Sequence, residues 1–137
     1  MNDHELKRVL GLARKANVAL VSVGGMDPAE NVAVGAGLMP ARHLNDLARA
    51  QAVGDVIARY FDRIGKEIDH PVNHRVVALD LASLKRIPTV IAITTGKDRA
   101  SAILAAIHGG YVKTLVTDSN TARQVLRVNT ERKSGRS

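Results

Sequence analysis

Two apolar runs that each end in glycine constrain this chain most: VALVSVGG at residues 18–25 and TVIAITTG at residues 89–96. A strand with almost no polar alternation must be buried on both faces, which is the condition of strands in a parallel sheet under helices. Each run adjoins a helical pattern. Before the first, Leu6, Val9, Leu10, Leu12 and Ala13 recur at helical spacing behind Asp3, a ready N-cap. After the second, Ala102, Ile103, Ala106 and Ile107 mark the buried face of a helix over Asp98–His108, closed by Gly109-Gly110. Helix, buried strand and glycine in this succession predict a parallel α/β sheet. Glycines at the carboxyl ends of its strands let the backbone turn sharply or approach a ligand closely.

The remaining segments fit around that frame. Residues 26–37 read as a loop, and Pro40 stands at the start of a helix running to about Ala52 through Leu44, Leu47 and Ala48. From Gly54 to Asn73 the pattern is a strand containing Val56, Ile57, Ala58, Tyr60 and Phe61. A turn at Asp62–Gly65 follows, then a short extended piece pinned by His70-Pro71. Arg75–Leu79 reads as a strand, Asp80 caps a brief helix over LASLKR, Lys113–Thr117 is a last strand, and Asp118 starts a last helix. The order α-β-α-β-β-β-α-β-α predicts a three-layer α/β domain with a mostly parallel sheet and one embedded hairpin.

Composition narrows the class further. The 137 residues contain two tyrosines, one phenylalanine and no tryptophan, so the core must be aliphatic. Cysteine is absent, which excludes disulfides and thiolate metal sites and favours a cytoplasmic location. The apolar runs are far short of a membrane span, and the start MNDHELKR lacks a secretory hydrophobic region. The net charge of +7 is unevenly placed: residues 1–75 carry 10 basic and 9 acidic side chains, residues 76–137 carry 10 and 4. Half of the excess falls from Arg127 onward, and no aromatic-flanked basic platform or helix-turn-helix pattern accompanies it, so charge alone does not predict DNA binding.

Chemistry is expected at three strand ends: Gly24-Gly25, Gly54-Asp55, and Thr94–Arg99. In the third, a glycine turn leads into a helix, where free amides, the helix dipole and the cations Lys97 and Arg99 suit a phosphate. The same turn is also compatible with an ordinary solvated loop, since it lacks a complete GxxxxGK[ST] or GxGxxG pattern. Asp55 reads equally as a turn residue or as a pocket carboxylate accepting hydroxyl protons of a polyol. His70 and His74 flank Pro71 in an extended context, which argues against a shared metal-binding face. No metal or other cofactor is expected.

With these residues in place, AVGDV, DHPVN, RIPTVIAI and AILAAIHGGYVKTLVTD, in order over about 110 residues, resemble the effector-binding domain of SorC/DeoR-type sugar-binding transcriptional regulators. The resemblance implies a NagB/RpiA/CoA-transferase-like, Rossmann-like fold, a phosphorylated sugar effector and a homo-oligomeric regulator. It implies ligand contacts at Asp55, Gly96 and Arg99, and the strand-end residues Gly24, Gly25 and Lys97 complete the expected ligand-binding set. Arg99 stands where the family commonly has lysine, Lys97 is an extra cation, and His74 replaces the usual acid after HPxN. The match begins within the effector domain. The expectation is therefore a partial sugar-phosphate domain over residues 1–128, truncated at its N-terminal side, followed by a disordered basic tail over 129–137. DNA would be engaged only through an absent N-terminal domain. Two other readings fit the same residues: a sugar-phosphate isomerase or lactonase-like enzyme, or a structural oligomerisation remnant.

Overall fold

A computed structural model describes residues 3–135. Helix α1 spans His4–Arg14, with the Asp3 carboxylate accepting from the Glu5 and Leu6 amides. The first apolar run then does something its composition hides. It splits at Ser22 into β1 (Val18–Val21) and β2 (Val23–Gly24), which belong to different sheets. β1 lies parallel to β5 (Thr89–Ile93), which lies parallel to β6 (Thr114–Val116). β2 pairs antiparallel with β3 (Ala52–Val56), and β3 with β4 (Arg59–Asp62). The α/β class and the parallel sheet agree with the sequence reading. The hairpin, rather than being an insertion, joins β2 in a second, antiparallel sheet.

One helix organises the interior. α6 (Ala100–His108) presents Ala102, Ile103 and Ala106 to a core that also holds Val23, Val56 and Phe61 from the antiparallel sheet and Val90 and Ala92 from the parallel sheet. α5 (Leu81–Arg86) and α7 (Ser119–Ser134) complete that core with Leu81, Leu84 and Val125. Alanines on α6 allow both sheets to approach it closely. At Gly54 an added Cβ would lie 2.4 Å from the Ala102 Cβ, so glycine is required there by contact. A smaller core lies on the far side of the antiparallel sheet. There Tyr60 and Ala52 pack against Leu44 and Leu47 of α3 (Ala41–Arg49) and Met39, beside the short α2 (Val32–Gly35). The antiparallel sheet is thus covered on both faces. The parallel sheet is covered on one only: Val18, Leu20, Ile93 and Val116 are 57, 67, 51 and 49% exposed on the other. Among the described residues no helix is long and apolar enough to cross a membrane.

Three expectations need correction. The run from Val56 to Phe61 is not one strand. The chain reverses at Ile57-Ala58, whose φ angles of 51° and 61° form a tight turn without the usual glycine or asparagine. The Asp55 carboxylate accepts from the Ala58 amide at 3.1 Å, giving the turn the polar partner that such residues lack. The expected turn at Asp62–Gly65 is present as a second reversal, with Asp62 Oδ1 accepting from Ile64 and Lys66. Next, Arg75–Leu79 is not a strand. Pro71–Arg75 forms α4, capped by His70, and the following carbonyls are taken by the Arg59 guanidinium. Last, the tail expected to be disordered from residue 129 is helical through Ser134. α7 is held by buried Val125 and by Arg132, which donates to the Arg63 carbonyl at 2.9 Å.

Candidate functional site

The split at Ser22 creates the site. It carries the end of the first apolar run out of the parallel sheet and into register with the hairpin, so that Gly24 stands opposite Asp55. The end of β5 is tied to the same place: the Thr94 hydroxyl donates to the Val23 carbonyl at 3.1 Å. Three of the chain's glycines then leave room for two charged side chains. A Cβ on Gly24 would sit 2.2 Å from Asp55 Oδ1, so the carboxylate lies directly over Gly24. The Arg99 side chain lies over Gly25 and Gly96, its Cγ 3.4 Å from a Cβ built on the first and its Cδ 3.6 Å from one built on the second. Gly96 also has φ +118°, a conformation closed to ordinary side chains. Five of the six residues singled out from sequence therefore converge at the carboxyl ends of strands, where an α/β fold binds ligands.

The electrostatics of the cluster are asymmetric. Burial pushes the Asp55 carboxyl up from 3.8 to about 6, against the opposing pull of the Ala58 amide and the Arg99 charge. Tyr60 is also raised, first by its own burial and then by the nearby Asp55 charge, although Asn31 donates to its hydroxyl at 3.0 Å. Arg99 is held from the loop that follows Gly25: its Nη2 donates to Glu30 Oε2 at 2.9 Å. Its Nε is buried and has no hydrogen-bond partner among the described residues. A guanidinium with one arm used and a buried donor free has capacity for a further acceptor.

The glycine turn differs from its sequence reading in one respect. The Gly96 amide is not free for an anion; it donates to the Thr121 hydroxyl at 2.9 Å, and Thr121 in turn donates to Asp118 at 2.8 Å. Thr121 and Asp118 thus anchor the turn from the start of α7. Asp118 is expected from the sequence to start the last helix, but nothing there points to Gly96. Residues Lys97–Arg99 form a single 3₁₀ turn before α6, without a side-chain cap. Lys97 is exposed on that turn, and its ammonium makes no hydrogen bond or ion pair among the described residues. Glu30 and Asn31 were not legible as site residues, because their partners lie 69 and 29 positions away.

The two histidines find local roles. His70 Nδ1 accepts from the Val72 amide, and His74 Nε2 pairs with Asp69 at 2.8 Å. A concavity of about 510 Å³ lies away from the cluster, lined by Arg63, His108, Arg132 and the end of α7. It is basic and is not lined by Gly24, Gly25 or Gly96, so the converging residues, rather than volume, define the candidate site.

Comparison with known proteins points the same way. The sequence model of the sugar-binding domain family matches residues 1–127. The chain is 34% identical over 128 residues to the transcriptional regulator LsrR of Escherichia coli, covering 92% of this chain and 40% of that protein. Its structure is similar to a DeoR family transcriptional regulator from Listeria monocytogenes, with a TM-score of 0.85 and 27% identity over 90% of this chain and 50% of that one. It is similar to the full-length sorbitol operon regulator SorC from Klebsiella pneumoniae, with a TM-score of 0.82 and 27% identity over 92% and 41% of the respective chains. The chain spans less than half the length of the curated relatives it matches.

Proposed function

Because this chain belongs to the sugar-binding domain family, we propose that it binds a phosphorylated sugar as the non-catalytic effector domain of a cytoplasmic transcriptional regulator. The observation that carries this reading is the placement of Asp55 and Arg99 side by side over Gly24, Gly25 and Gly96. The carboxylate accepts from sugar hydroxyls, while the guanidinium takes the phosphate through charge-assisted bonds. The glycines allow the ligand to lie against backbone, where a side chain would exclude it. Lys97, exposed on the neighbouring turn, adds long-range attraction for the anion. In this reading DNA contact belongs to parts of the relatives that the chain does not span.

The uncovered face of the parallel sheet, with four large apolar side chains about half exposed or more and the free edge of β1 beside it, supports self-association of the chain. Sedimentation at micromolar concentration is expected to give a species larger than a monomer; a monomer throughout would count against this part of the reading.

Binding is checked by thermal unfolding across a panel of sugar phosphates and their unphosphorylated counterparts. A ligand present at 100 times its dissociation constant stabilises the folded state by about 2.7 kcal/mol. The expected result is a rise of several degrees with at least one phosphorylated sugar and none with the matching free sugar. No shift across the panel would contradict the proposal. One observation favours a second reading: a carboxyl raised to about 6 is also suited to general acid–base work, as in an isomerase on this fold. Turnover of a sugar phosphate that disappears in Asp55→Asn would select that enzyme.

A further inference from the structure

The ion pair between Arg99 and Glu30 joins the 3₁₀ turn to the loop 26–30, and its geometry is incomplete in an informative way. Arg99 is 24% exposed and Glu30 55%, so the cation is the fixed partner and the carboxylate reaches in from solvent. Glu30 occupies Nη2 and leaves the neighbouring Nε buried without an acceptor. Nε and the adjacent η nitrogen form the side of a guanidinium that takes two oxygens of one anion in parallel. Glu30 therefore fills half of a bidentate position. The loop that carries it is short and defined at both ends. Gly25 begins it against Arg99, and Asn31 closes it, fixed by its bond to the Tyr60 hydroxyl and by capping α2 through the Val34 amide. Between them, among the described residues, Glu30 is held by a local turn on Asp27 and by Arg99.

We propose that Glu30 is an internal competitor for the phosphate of the ligand: it holds Arg99 in the empty site, and a phosphate displaces it by satisfying both Nη2 and Nε, releasing the loop 26–30. This rests on the sugar-phosphate reading of the site and adds its regulation. Part of the ligand's binding energy goes into breaking the pair, which sets the affinity lower than the bare cation would give. The loop runs directly into α2, so its release is sensed on the α2 side of the domain.

The test uses the full chain and inorganic phosphate as the probe, followed by isothermal titration and by the Arg99 Nε–H resonance. An exposed pair of this kind is worth little, so Glu30→Gln is expected to tighten phosphate binding by about two- to five-fold. Phosphate should move the Nε–H signal in both proteins, and Arg99→Met should abolish binding in both backgrounds. Glu30 is exposed, and the glutamine variant keeps its shape, so folding is unaffected. Equal affinity in wild type and Glu30→Gln, with binding still lost in Arg99→Met, would overturn the competitor role and leave the phosphate site standing. Binding that survives Arg99→Met, or no binding in any variant, would overturn both.

Discussion

Replacing Asp55 by asparagine is expected to make the protein more stable at pH 7.5 while weakening the proposed binding of sugar phosphates. The carboxyl titrates near 6 in the folded state against an ordinary value of 3.8, because burial disfavours its charge. The folded state therefore holds the proton more tightly than the unfolded state does, and protonation favours folding. Above pH 6 the ionised, partly buried group costs about 2 kcal/mol after allowance for solvent access. As pH falls from 7 toward 4 wild type recovers that cost. Asparagine retains an acceptor for the Ala58 amide, so the tight turn keeps its partner, and it carries no charge to desolvate. The melting temperature of Asp55→Asn should exceed that of wild type by roughly 3–8 °C at pH 7.5, and the difference should vanish by about pH 4. Sugar-phosphate affinity should fall by about 10- to 100-fold with the loss of charge-assisted hydrogen bonds. A site that stabilises the fold when neutralised is one kept charged for its ligand. A variant less stable than wild type at pH 7.5 would show that Asp55 serves the hairpin instead.

The second large effect is structural. Arg59→Met is expected to destabilise the domain by about 3–5 kcal/mol, although no charge centre of the site is touched. Arg59 leaves the β3–β4 turn and spreads its donors over the segment that follows α4. Nε donates to the Leu79 carbonyl at 2.7 Å, Nη1 to Asn73 at 3.1 Å and to Glu67 at 3.2 Å, and Nη2 to Ala78 at 3.4 Å. The Arg59 side chain is only 15% exposed, so its removal leaves several carbonyls short of partners. Asn73 completes the arrangement from the other side, pairing with both the amide and the carbonyl of Tyr60 at 2.8 and 2.9 Å, much as a strand would. Urea denaturation should show a lowered midpoint with an unchanged slope. Lysine at this position should recover little, because a point charge cannot serve carbonyls in several directions. A loss below 1 kcal/mol would mean that residues 73–79 are held by packing alone.

These two side chains explain what could be read from the residues and what could not. The convergence of the candidate site's glycines and charges was legible, because Gly24, Asp55, Gly96 and Arg99 stand at the ends of apolar runs, and a fold that alternates helix and strand gathers such ends. The α/β class followed from the same runs. What misled was local appearance. VALVSVGG looks like one strand, and only its pairing partners reveal that Ser22 divides it between two sheets. RVVAL has strand composition, but carbonyls within it are claimed by Arg59 from 17 to 20 positions away, a tertiary contact with no local signal. The Ile57-Ala58 turn carries neither glycine nor asparagine, and depends on the preceding Asp55 for its amide partner. The tail is basic and polar enough to suggest fraying, yet Val125, Val128 and Arg132 give α7 a face to pack. Apart from that turn, whose partner is only three residues away, a long-range partner overrode local propensity.

The dual use of Asp55 links fold to function. Its Oδ2 accepts from Ala58 and closes the hairpin turn, while Oδ1 lies over Gly24 and remains available at the mouth of the site. A carboxylate placed by a turn that it stabilises is fixed in orientation before any ligand arrives, so little ordering entropy is lost on binding.

The central claim is that ligand is held at the glycine-lined junction of the two sheets, and amide chemical-shift mapping of the labelled protein tests it most directly. Titration with a sugar phosphate is predicted to perturb Gly24, Gly25, Asp55 and Gly96 through Arg99 together, with saturation at a single dissociation constant. Perturbations confined to the basic concavity around Arg63, His108 and Arg132, with the glycine junction unmoved, would contradict it.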